Sequence, residues 1–328
     1  MSLPNQSLMI INHCVPCACA CRHCFFHSRK TAGGVPYDMG EAIALRFAQH
    51  GIPVSYAISH CADYPQLTRN IELNKRLGFA GHAFLQINGI GLRDESKLRT
   101  YLSGVQRAGV TTIDATFYGL AAHHDNFAGR SGDFQFLLEI VRAGLALGLT
   151  LQPTFVALED NKAQLGELVA LLTSLGCTNI HGFLHDYRGR GEALEDVRLT
   201  WDAYHALPKH VRDCISIRNH KTEAAWLASD FTPPTQRHLV LALRPDNIEM
   251  INAMHCDEIV DYLVGLDEAY HAAMPDMHTL AKLYGDADNQ KLYRQRDLQW
   301  KWQKTYHKEH GLAMHDVTDE RNCGAMRR

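Results

Sequence analysis

The segment LMIINHCVPCACACRHC, residues 8–24, joins an apolar run to a dense group of cysteines. Its first six residues are mostly aliphatic, which is typical of a buried strand. Five cysteines follow, at positions 14, 17, 19, 21 and 24. Thiols packed this densely make a poor disulfide framework, so in a reducing compartment they indicate a metal or iron–sulfur site.

This segment begins a regular alternation of β-rich and helical patterns. Strands are predicted at 8–13, 53–60, 82–88, 112–119, 150–158 and 179–187. Helices are predicted at 38–50, 65–77, 94–108, 133–147 and 161–175. Strict alternation requires parallel strands, because each helix crosses back over the sheet. Six units are too few for a closed eightfold barrel, so we predict an α/β fold, a partial (β/α)6 TIM-like barrel with its reactive site at the carboxyl ends of the strands.

The pattern changes after Gly191. Helices are predicted at 198–207, 246–272, 277–283 and 290–309, around one apolar strand at 238–244. We therefore predict two parts, a barrel with the cysteine segment at 1–192 and a mostly helical C-terminal extension or lid at 193–328.

The composition is that of an ordinary globular protein. Of 328 residues, 46% are hydrophobic and 21% charged, and the net charge is −3 with histidine neutral. Such a balance gives no electrostatic indication of nucleic-acid binding. No uncharged apolar run reaches the roughly 20 residues of a membrane helix, and the first residues lack the features of a signal peptide. We expect a cytoplasmic protein that binds neither nucleic acid nor membrane.

Cys17, Cys21 and Cys24 have the spacing C-x3-C-x2-C. A [4Fe–4S] cube normally takes four thiolates, so three would leave one iron open to another ligand. The alternative is a structural zinc site on two C-x2-C pairs, although three residues between the pairs is tighter than in an ordinary zinc ribbon. Cys14 and Cys19 are then either inert reduced thiols or extra ligands.

Together with this spacing, several downstream segments make the chain similar to radical SAM enzymes over roughly residues 8–195. QINGIGLRDE (86–95) resembles the stretch after the family's third strand. HHDNFAGRSGDF (123–134) resembles a segment of the subgroup that holds sulfatase-maturing, peptide-modifying and molybdopterin-cofactor cyclising enzymes. HDYRGRG (185–191) is similar to the end of that subgroup's sixth strand.

The resemblance implies two cofactors, a [4Fe–4S] cluster and S-adenosyl-L-methionine (SAM). The cluster ligands would be Cys17, Cys21 and Cys24. SAM would bind the open iron and yield a 5′-deoxyadenosyl radical, with the chemistry carried by the cofactors. By the same resemblance, the residues that contact SAM would be Asp63, Asn88, Thr116 and Arg130.

The end of the second strand departs from the family pattern. The family usually has Gly-Gly-Glu-Pro there, whereas this chain has SHCADYP at 59–65. Asp63 either accepts a hydrogen bond from the SAM amino group or only caps the following helix. Arg130 either pairs with the SAM carboxylate or is a solvated loop arginine. Residues 123–125, His-His-Asp, are expected to make structural hydrogen bonds and no metal site.

The C-terminal extension has too few cysteines for a four-thiolate auxiliary cluster. By the resemblance, HLVLALRPDN (238–247) would be the remnant of a hairpin found in such extensions. Cys256 is either an inert buried thiol or a group that serves the substrate. The aromatic and basic stretch 292–311 is expected to pack as core or lid, because its surrounding charge is mixed.

Three functions follow. The first is a radical SAM enzyme that abstracts hydrogen from a peptide or small metabolite, reduced by an electron donor such as flavodoxin or ferredoxin. The missing Gly-Gly-Glu suggests a second, cleavage of a different C–S bond of SAM with aminocarboxypropyl transfer. The third is a non-catalytic binding protein or maturation partner on the same scaffold. No motif in the sequence selects a substrate.

Overall fold

A computed structural model describes residues 8–12, 17–24, 34–58, 62–187, 190–230 and 239–311. Three of the ten cysteines therefore lie outside the described residues, namely Cys14, Cys61 and Cys323. The same holds for Ser59 and His60 at the end of the second strand. None of the helices within these ranges combines the length and apolarity of a membrane-spanning segment.

All six predicted barrel strands are present in the described part of the chain, together with three more. They are β1 (Leu8–Asn12), β2 (Val54–Ile58), β3 (Phe84–Gln86), β4 (Thr112–Phe117), β5 (Thr150–Ala157), β6 (His181–Leu184), β7 (Lys221–Thr222), β8 (Leu239–Leu243) and β9 (Leu292–Tyr293). The prediction that residues 290–309 are helical is wrong at its start, because β9 pairs with β7 in an antiparallel ribbon.

The helices follow the strands as the alternation predicts. They are α1 (Tyr37–Gln49), α2 (Leu67–Arg76), α3 (Glu95–Ala108), α4 (Ala121–Ala128), α5 (Asp133–Ala146), α6 (Leu165–Ser174), α7 (Trp201–Ala206), α8 (Lys209–Arg212), α9 (Glu223–Leu227), α10 (Ile248–Ala253), α11 (Cys256–Ala272), α12 (Met277–Tyr284) and α13 (Gln295–His310). The predicted helix 246–272 is two helices. The chain is extended at Met254, and His255 and Glu258 then form a capping box that starts α11.

The strands form two parallel sheets, in the orders β2-β1-β8 and β3-β4-β5-β6. This confirms the α/β class and the partial parallel barrel. The interpretation of 238–247 as a hairpin remnant is wrong, because β8 runs parallel to β1, with Leu239 beside Leu8. The physical reason is that four of the five β8 residues are buried, as befits a strand covered on both faces.

The two faces of the second sheet differ in polarity. On one face Ile113, Ala115 and Phe117 of β4 are fully buried in the main apolar core, beside residues of α3, α5 and α6. The alternate residues Asp114 and Thr116 point to the opposite face, because successive side chains of a strand alternate. The inner face is therefore polar along β4, and the register places Phe84 of β3 and Phe183 of β6 on the same face.

The outer edge of β2 is completed by side chains of α2. The backbone N–H of Tyr56 donates to Oδ1 of Asn74 at 3.0 Å, and its carbonyl accepts from Nδ2 of Asn74 and Asn70 at 2.9 and 3.1 Å. Buried backbone groups need such partners. Two asparagines thus supply at this position what another strand would supply, and the described residues show no ladder between β2 and β3.

The Tyr56 ring packs beside Gly40 of α1. Its hydroxyl donates to the Tyr37 carbonyl at 3.2 Å and accepts from Asn12 Nδ2 at 2.9 Å, so the ring is held in place. A Cβ at Gly40 would lie far inside the van der Waals contact distance of the Tyr56 hydroxyl oxygen. The helix therefore requires glycine here for close approach.

We predict that Gly40→Ala lowers the free energy of unfolding by about 1–3 kcal/mol, because the added methyl overpacks a fixed ring. The matched control is Gly104→Ala in α3, where a Cβ would meet nothing within 4 Å. That change should raise stability by roughly 0.5–1 kcal/mol through helix propensity. Urea unfolding of both variants checks this, and equal effects at the two sites would contradict the packing described.

Candidate functional site

The cysteine segment lies across the carboxyl ends of the strands, as predicted. The backbone N–H of Ala18 donates to the Gly89 carbonyl at 2.8 Å, just after β3, and that of Ala20 donates to the Ala128 carbonyl at 2.7 Å, at the end of α4. Gly129 has φ +63°, and a Cβ there would lie 3.0 Å from the Ala20 Cβ. Glycine at 129 therefore permits both the left-handed turn and the close approach of the segment.

Aromatic rings form a wall against the segment. Tyr118 and Phe127 stack with their centroids 4.3 Å apart, and His23 lies 5.3 Å from Tyr118 and 5.4 Å from Phe127. The Tyr118 hydroxyl donates to Cys21 Sγ at 3.7 Å. Burial raises the pKa of Tyr118 well above its usual range, so the phenol keeps the proton it donates.

The thiols of the segment differ in exposure. Cys17, Cys21 and Cys24 are half-buried, whereas Cys19 is 4% exposed. The backbone N–H of Cys19 donates to Cys17 Sγ at 3.4 Å, and its thiol is in hydrogen-bonding contact with Cys17 and Cys21. These hydrogen bonds, and then burial, raise the pKa of Cys19. The hydrogen bond from Cys19 lowers the pKa of Cys21 and outweighs the opposing effect of its burial.

Asp133, the first residue of α5, is buried directly behind Cys19. Its Oδ2 accepts from the Cys19 thiol at 3.5 Å and contacts His124 Nε2 at 3.1 Å. Burial would raise the pKa of Asp133, but the His124 hydrogen bond and the Arg130 charge outweigh burial and hold that pKa below its usual range. Asp133 is therefore an anion inside the protein, paired on both sides.

His124 and Asp125 make the structural hydrogen bonds expected of them. His124 Nδ1 accepts from the Tyr118 N–H at 3.1 Å. The two carboxylate oxygens of Asp125 accept from the N–H groups of Gly132 at 2.6 Å and Phe134 at 2.8 Å.

Arg130 is not a solvated loop residue. Its side chain is 9% exposed and forms an ion pair with Asp133, with Nε 3.1 Å from Oδ1. It also donates to the carbonyl of Ile90 in the loop after β3. The alternative of a solvated arginine is therefore wrong, and its guanidinium links α5 to that loop.

Asp63 does not cap a helix. Its Oδ2 accepts from the Gly91 N–H at 2.8 Å, and its Oδ1 forms an ion pair with Arg93. Helix α2 begins later, after Gln66 and without a side-chain cap. The helix-cap alternative is therefore wrong, and Asp63 is bonded to the loop after β3.

Asn88 and Thr116 contact each other directly. Asn88 Nδ2 donates to the Thr116 carbonyl at 2.8 Å, and the Thr116 N–H donates to Asn88 Oδ1 at 2.7 Å. The Asn88 amide thereby extends the β3–β4 ladder by one pair. All four residues predicted to contact SAM thus border or support residues 88–93, and each has polar partners within the protein.

Asp114 is a site residue that sequence reasoning missed. It is 7% exposed on the inner face of β4, and its Oδ1 accepts from the hydroxyls of Thr116 and Thr154, both at 3.3 Å. Burial raises its pKa to about 7. An aspartate within the strand TIDATF was the available signal, because charged residues are rarely buried without a reason.

The end of β6 is held by a buried polar cluster that sequence reasoning also missed. The Arg198 guanidinium, 1% exposed, donates to the His185 carbonyl at 3.0 Å and to His185 Nε2 at 3.1 Å. Asp297 of α13 accepts from the Tyr187 N–H at 3.1 Å. The N–H of Arg190 reaches the carbonyl of the last cysteine of the segment at 3.3 Å, so this cluster adjoins the segment.

Two expectations for the C-terminal part are met. Trp300 and Trp302 of α13 are 2% and 1% exposed, so the aromatic stretch packs as core. Cys256 is 2% exposed in the apolar core under α1, and its Sγ lies 3.8 Å from His50 Nδ1. Burial raises its pKa, which favours the interpretation of an inert thiol.

The donor set of the segment fits an iron–sulfur cluster by its chemistry. Three half-buried thiols lie on one short segment, beside an aromatic wall and at the strand ends of the polar inner face. Within the described ranges, no three or more His, Cys, Asp or Glu side chains already form a metal site.

No protein-family model and no curated protein matches the chain. Among solved structures, the chain is similar to Streptococcus suis SuiB bound to precursor peptide SuiA, with 14% identity, a TM-score of 0.42, and coverage of 54% of this chain and 39% of that one. It is similar to anSMEcpe with bound AdoMet and Cp18Cys peptide, with 16% identity, a TM-score of 0.41, and coverage of 55% and 51%.

A third similar structure is the Escherichia coli coproporphyrinogen III oxidase HemN, a radical SAM enzyme. It has 10% identity, a TM-score of 0.38, and coverage of 58% of this chain and 47% of that one. The chain thus spans about two fifths to one half of the length of these three proteins. Similarities this distant assign no function, which has to come from the chain's own residues.

We predict that Asp114→Asn stabilises the protein at pH 8 but not at pH 4. In the folded protein the pKa of Asp114 is raised to about 7, above its value in the unfolded chain. The contribution of this carboxyl to stability is therefore fully present below the pKa of the unfolded chain and is lost as the pH rises through about 7. A shift of this size corresponds to on the order of 4 kcal/mol at pH 8. Urea unfolding at both pH values measures it.

The control for this prediction is Glu139→Gln, which neutralises an exposed carboxylate of α5. It should leave the pH dependence of unfolding unchanged. An Asp114→Asn effect of equal size at pH 4 and pH 8 would contradict the raised pKa of Asp114.

Proposed function

We propose that the chain is a radical SAM enzyme that holds a [4Fe–4S] cluster on Cys17, Cys21 and Cys24. One observation carries the proposal: three half-buried thiols with C-x3-C-x2-C spacing lie on a segment that is hydrogen-bonded to the loop after β3 and to the end of α4, which follows β4. A zinc site on paired C-x2-C motifs would not need this position. In parallel barrels the reactive site lies at that end of the strands.

When bound, the cluster supplies the electron that breaks a carbon–sulfur bond of SAM. The chain's own residues prepare that site. The Tyr118 hydroxyl donates to Cys21 Sγ, and the rings of Phe127 and His23 pack with Tyr118 into the aromatic wall beside the segment. Such a wall would help to exclude water, which protects a reactive radical from side reactions.

In this proposal, the four residues predicted to contact SAM act mainly by holding the loop at residues 88–93 in place. Asp63 holds the Gly91 N–H, Arg130 holds the Ile90 carbonyl, and Asn88 is bonded to Thr116. Each therefore positions backbone and side-chain groups beside the cysteine segment, where SAM would lie. Such support fixes a ligand within the narrow geometry that catalysis needs.

The substrate would enter the polar inner face of the second sheet. Gln86, Asp114 and Gln152 are side by side on β3, β4 and β5, and Gln86 is exposed. Carboxamide and carboxyl groups in one row suit a peptide or a small metabolite that carries amide or hydroxyl groups. Reduction of the cluster requires an electron donor such as flavodoxin or ferredoxin. Of the extension predicted at 193–328, the part outside β8 would act as the lid, because β8 belongs to the first sheet.

A second candidate, aminocarboxypropyl transfer, is favoured by one observation. The Asp63 carboxylate, expected to accept from the SAM amino group, is already engaged by Arg93 and the Gly91 N–H. A SAM amino group bound differently would present a different C–S bond to the cluster. A non-catalytic scaffold, the third candidate, predicts no turnover of SAM.

We predict that the chain, reconstituted with iron and sulfide without oxygen, is brown and holds about four irons per chain. The combined change of Cys17, Cys21 and Cys24 to alanine should remove colour and SAM cleavage together. Cys214→Ala is the matched control, because that half-buried thiol lies outside the segment and donates to the His210 carbonyl. An intact cluster in the triple variant would refute the ligand assignment.

The products of SAM under a strong reductant distinguish the candidates. We expect 5′-deoxyadenosine, detected by liquid chromatography and mass spectrometry. Methylthioadenosine in its place would support aminocarboxypropyl transfer. No SAM turnover by a fully loaded protein would support the non-catalytic scaffold.

A further inference from the structure

The inner face of β4 carries a buried acidic side chain, Asp114, whose charge is not compensated within the described part of the chain. The residue is 7% exposed, and its Oδ1 contacts the hydroxyls of Thr116 and Thr154 at 3.3 Å each. Among the described residues, no donor contacts Oδ2, and no lysine, arginine or histidine forms an ion pair with the carboxylate. A buried carboxylate normally has such a partner.

The two threonine hydroxyls give Asp114 little support as an anion. Their oxygens lie 2.8 Å apart, closer to each other than to Oδ1. Each hydroxyl has a single proton, so two protons serve three contacts, and the shortest of these joins the two threonines. A separation of 3.3 Å also exceeds the usual range for an O–H···O hydrogen bond. The pairing of the carboxylate therefore remains incomplete.

The two neighbours of Asp114 across the sheet are carboxamides. Gln86 of β3 and Gln152 of β5 are its register partners, and adjacent strands lie about 4.8 Å apart. Gln86 is exposed, and Gln152 Oε1 accepts from Asn179 Nδ2 at 3.3 Å with a second lone pair to spare. A primary ammonium has three N–H donors. One such group can therefore bond the carboxylate and both amide oxygens.

The contacts of Asp114 favour an ammonium over a guanidinium. A guanidinium pairs best with a carboxylate through both oxygens at once. Oδ1 already contacts the hydroxyls of Thr116 and Thr154, so only Oδ2 is open to a ligand. An ammonium is a compact charge that one oxygen can pair.

Apolar rings on the same face suit the carbon chain of an amine. Phe84 of β3 is 38% exposed and Phe183 of β6 is 48% exposed, although both are large and apolar. A strand rises about 3.3 Å per residue, so Asp114 lies about 7 Å from Thr116 along β4, on the side away from the cysteine segment. An ammonium at Asp114 would leave its alkyl chain to extend past the rings toward that segment.

We propose that Asp114, together with Gln86 and Gln152, forms a substrate subsite for a primary ammonium group. The group belongs either to a lysine side chain of a peptide or to a small aliphatic amine. The inference deepens the proposed function and rests on it, because that function makes the inner face a substrate site. It assigns the open oxygen of Asp114 a cationic partner that the described part of the chain does not supply.

The test is isothermal titration calorimetry at pH 8 on the full chain, loaded with cluster and SAM. At this pH most of the carboxyl is ionised, because burial raises its pKa only to about 7. The probes are lysine blocked as Nα-acetyl-lysine N-methylamide, the same compound acetylated on Nε, blocked arginine, and 1,5-diaminopentane. Blocked lysine should bind saturably at one site, and its Nε-acetylated form and blocked arginine should bind about tenfold more weakly or worse.

Two variants locate the binding. Asp114→Asn keeps the shape of the side chain and should weaken binding of blocked lysine about tenfold or more. Glu139→Gln removes an exposed carboxylate of α5 and should leave the affinity unchanged. Tighter binding of blocked lysine than of 1,5-diaminopentane would indicate a peptide as the source of the ammonium, and the reverse order a small amine.

Three results overturn the inference. They are no saturable binding of either amine by the wild-type chain, equal affinity for the Nε-acetylated probe, and equal affinity of wild type and Asp114→Asn. If Asp114→Asn does not fold, the comparison of the two lysine probes on the wild-type chain decides alone. The titration is repeated on the chain without cluster, so failure of the proposed function, seen as missing cluster or missing SAM cleavage, is distinguishable from failure to bind the amine.

Discussion

The buried carboxylate of Asp133 is the constraint on which the arrangement of the site depends. Burying a charge away from water costs free energy unless the charge is paired and hydrogen-bonded. The residues that contact the Asp133 carboxylate therefore cannot be exchanged freely. His124 and Arg130 supply the pairing, and Cys19 supplies a third contact from the cysteine segment. Arg130 continues to the Ile90 carbonyl. One anion thereby ties the cysteine segment, the loop after β3 and the start of α5 together.

A second constraint explains where the two sheets part. On β2 the N–H and carbonyl of Tyr56 are taken by the side chains of Asn70 and Asn74, so that edge of the strand is satisfied by α2. Backbone groups paired in this way do not recruit a further strand. The other edge of the first sheet is covered by β8, which brings the C-terminal part of the chain back beside β1. The cysteine segment then lies at the carboxyl end of strands β3–β6, beside their inner face.

The features that were predicted correctly depend on local residue patterns. The features that were missed depend on contacts between residues far apart in the chain. Hydrophobic periodicity located the six barrel strands, and their alternation with helices implied parallel pairing. The parallel pairing of β8 with β1 joins residues far apart in sequence, so no local pattern contains it. The ion pair of Asp63 with Arg93 and the burial of Asp114 likewise depend on the folded chain. The position of the cysteine segment was predictable because it directly follows a strand.

The proposed function requires that three thiolates leave one iron of the cluster open to SAM. The most direct measurement is the electron paramagnetic resonance spectrum of the anaerobically reduced, reconstituted protein before and after addition of SAM. Binding of SAM to an open iron should change the g-values of the reduced cluster. A cluster spectrum that is identical with and without saturating SAM, or a reconstituted protein with no such spectrum, would contradict the claim.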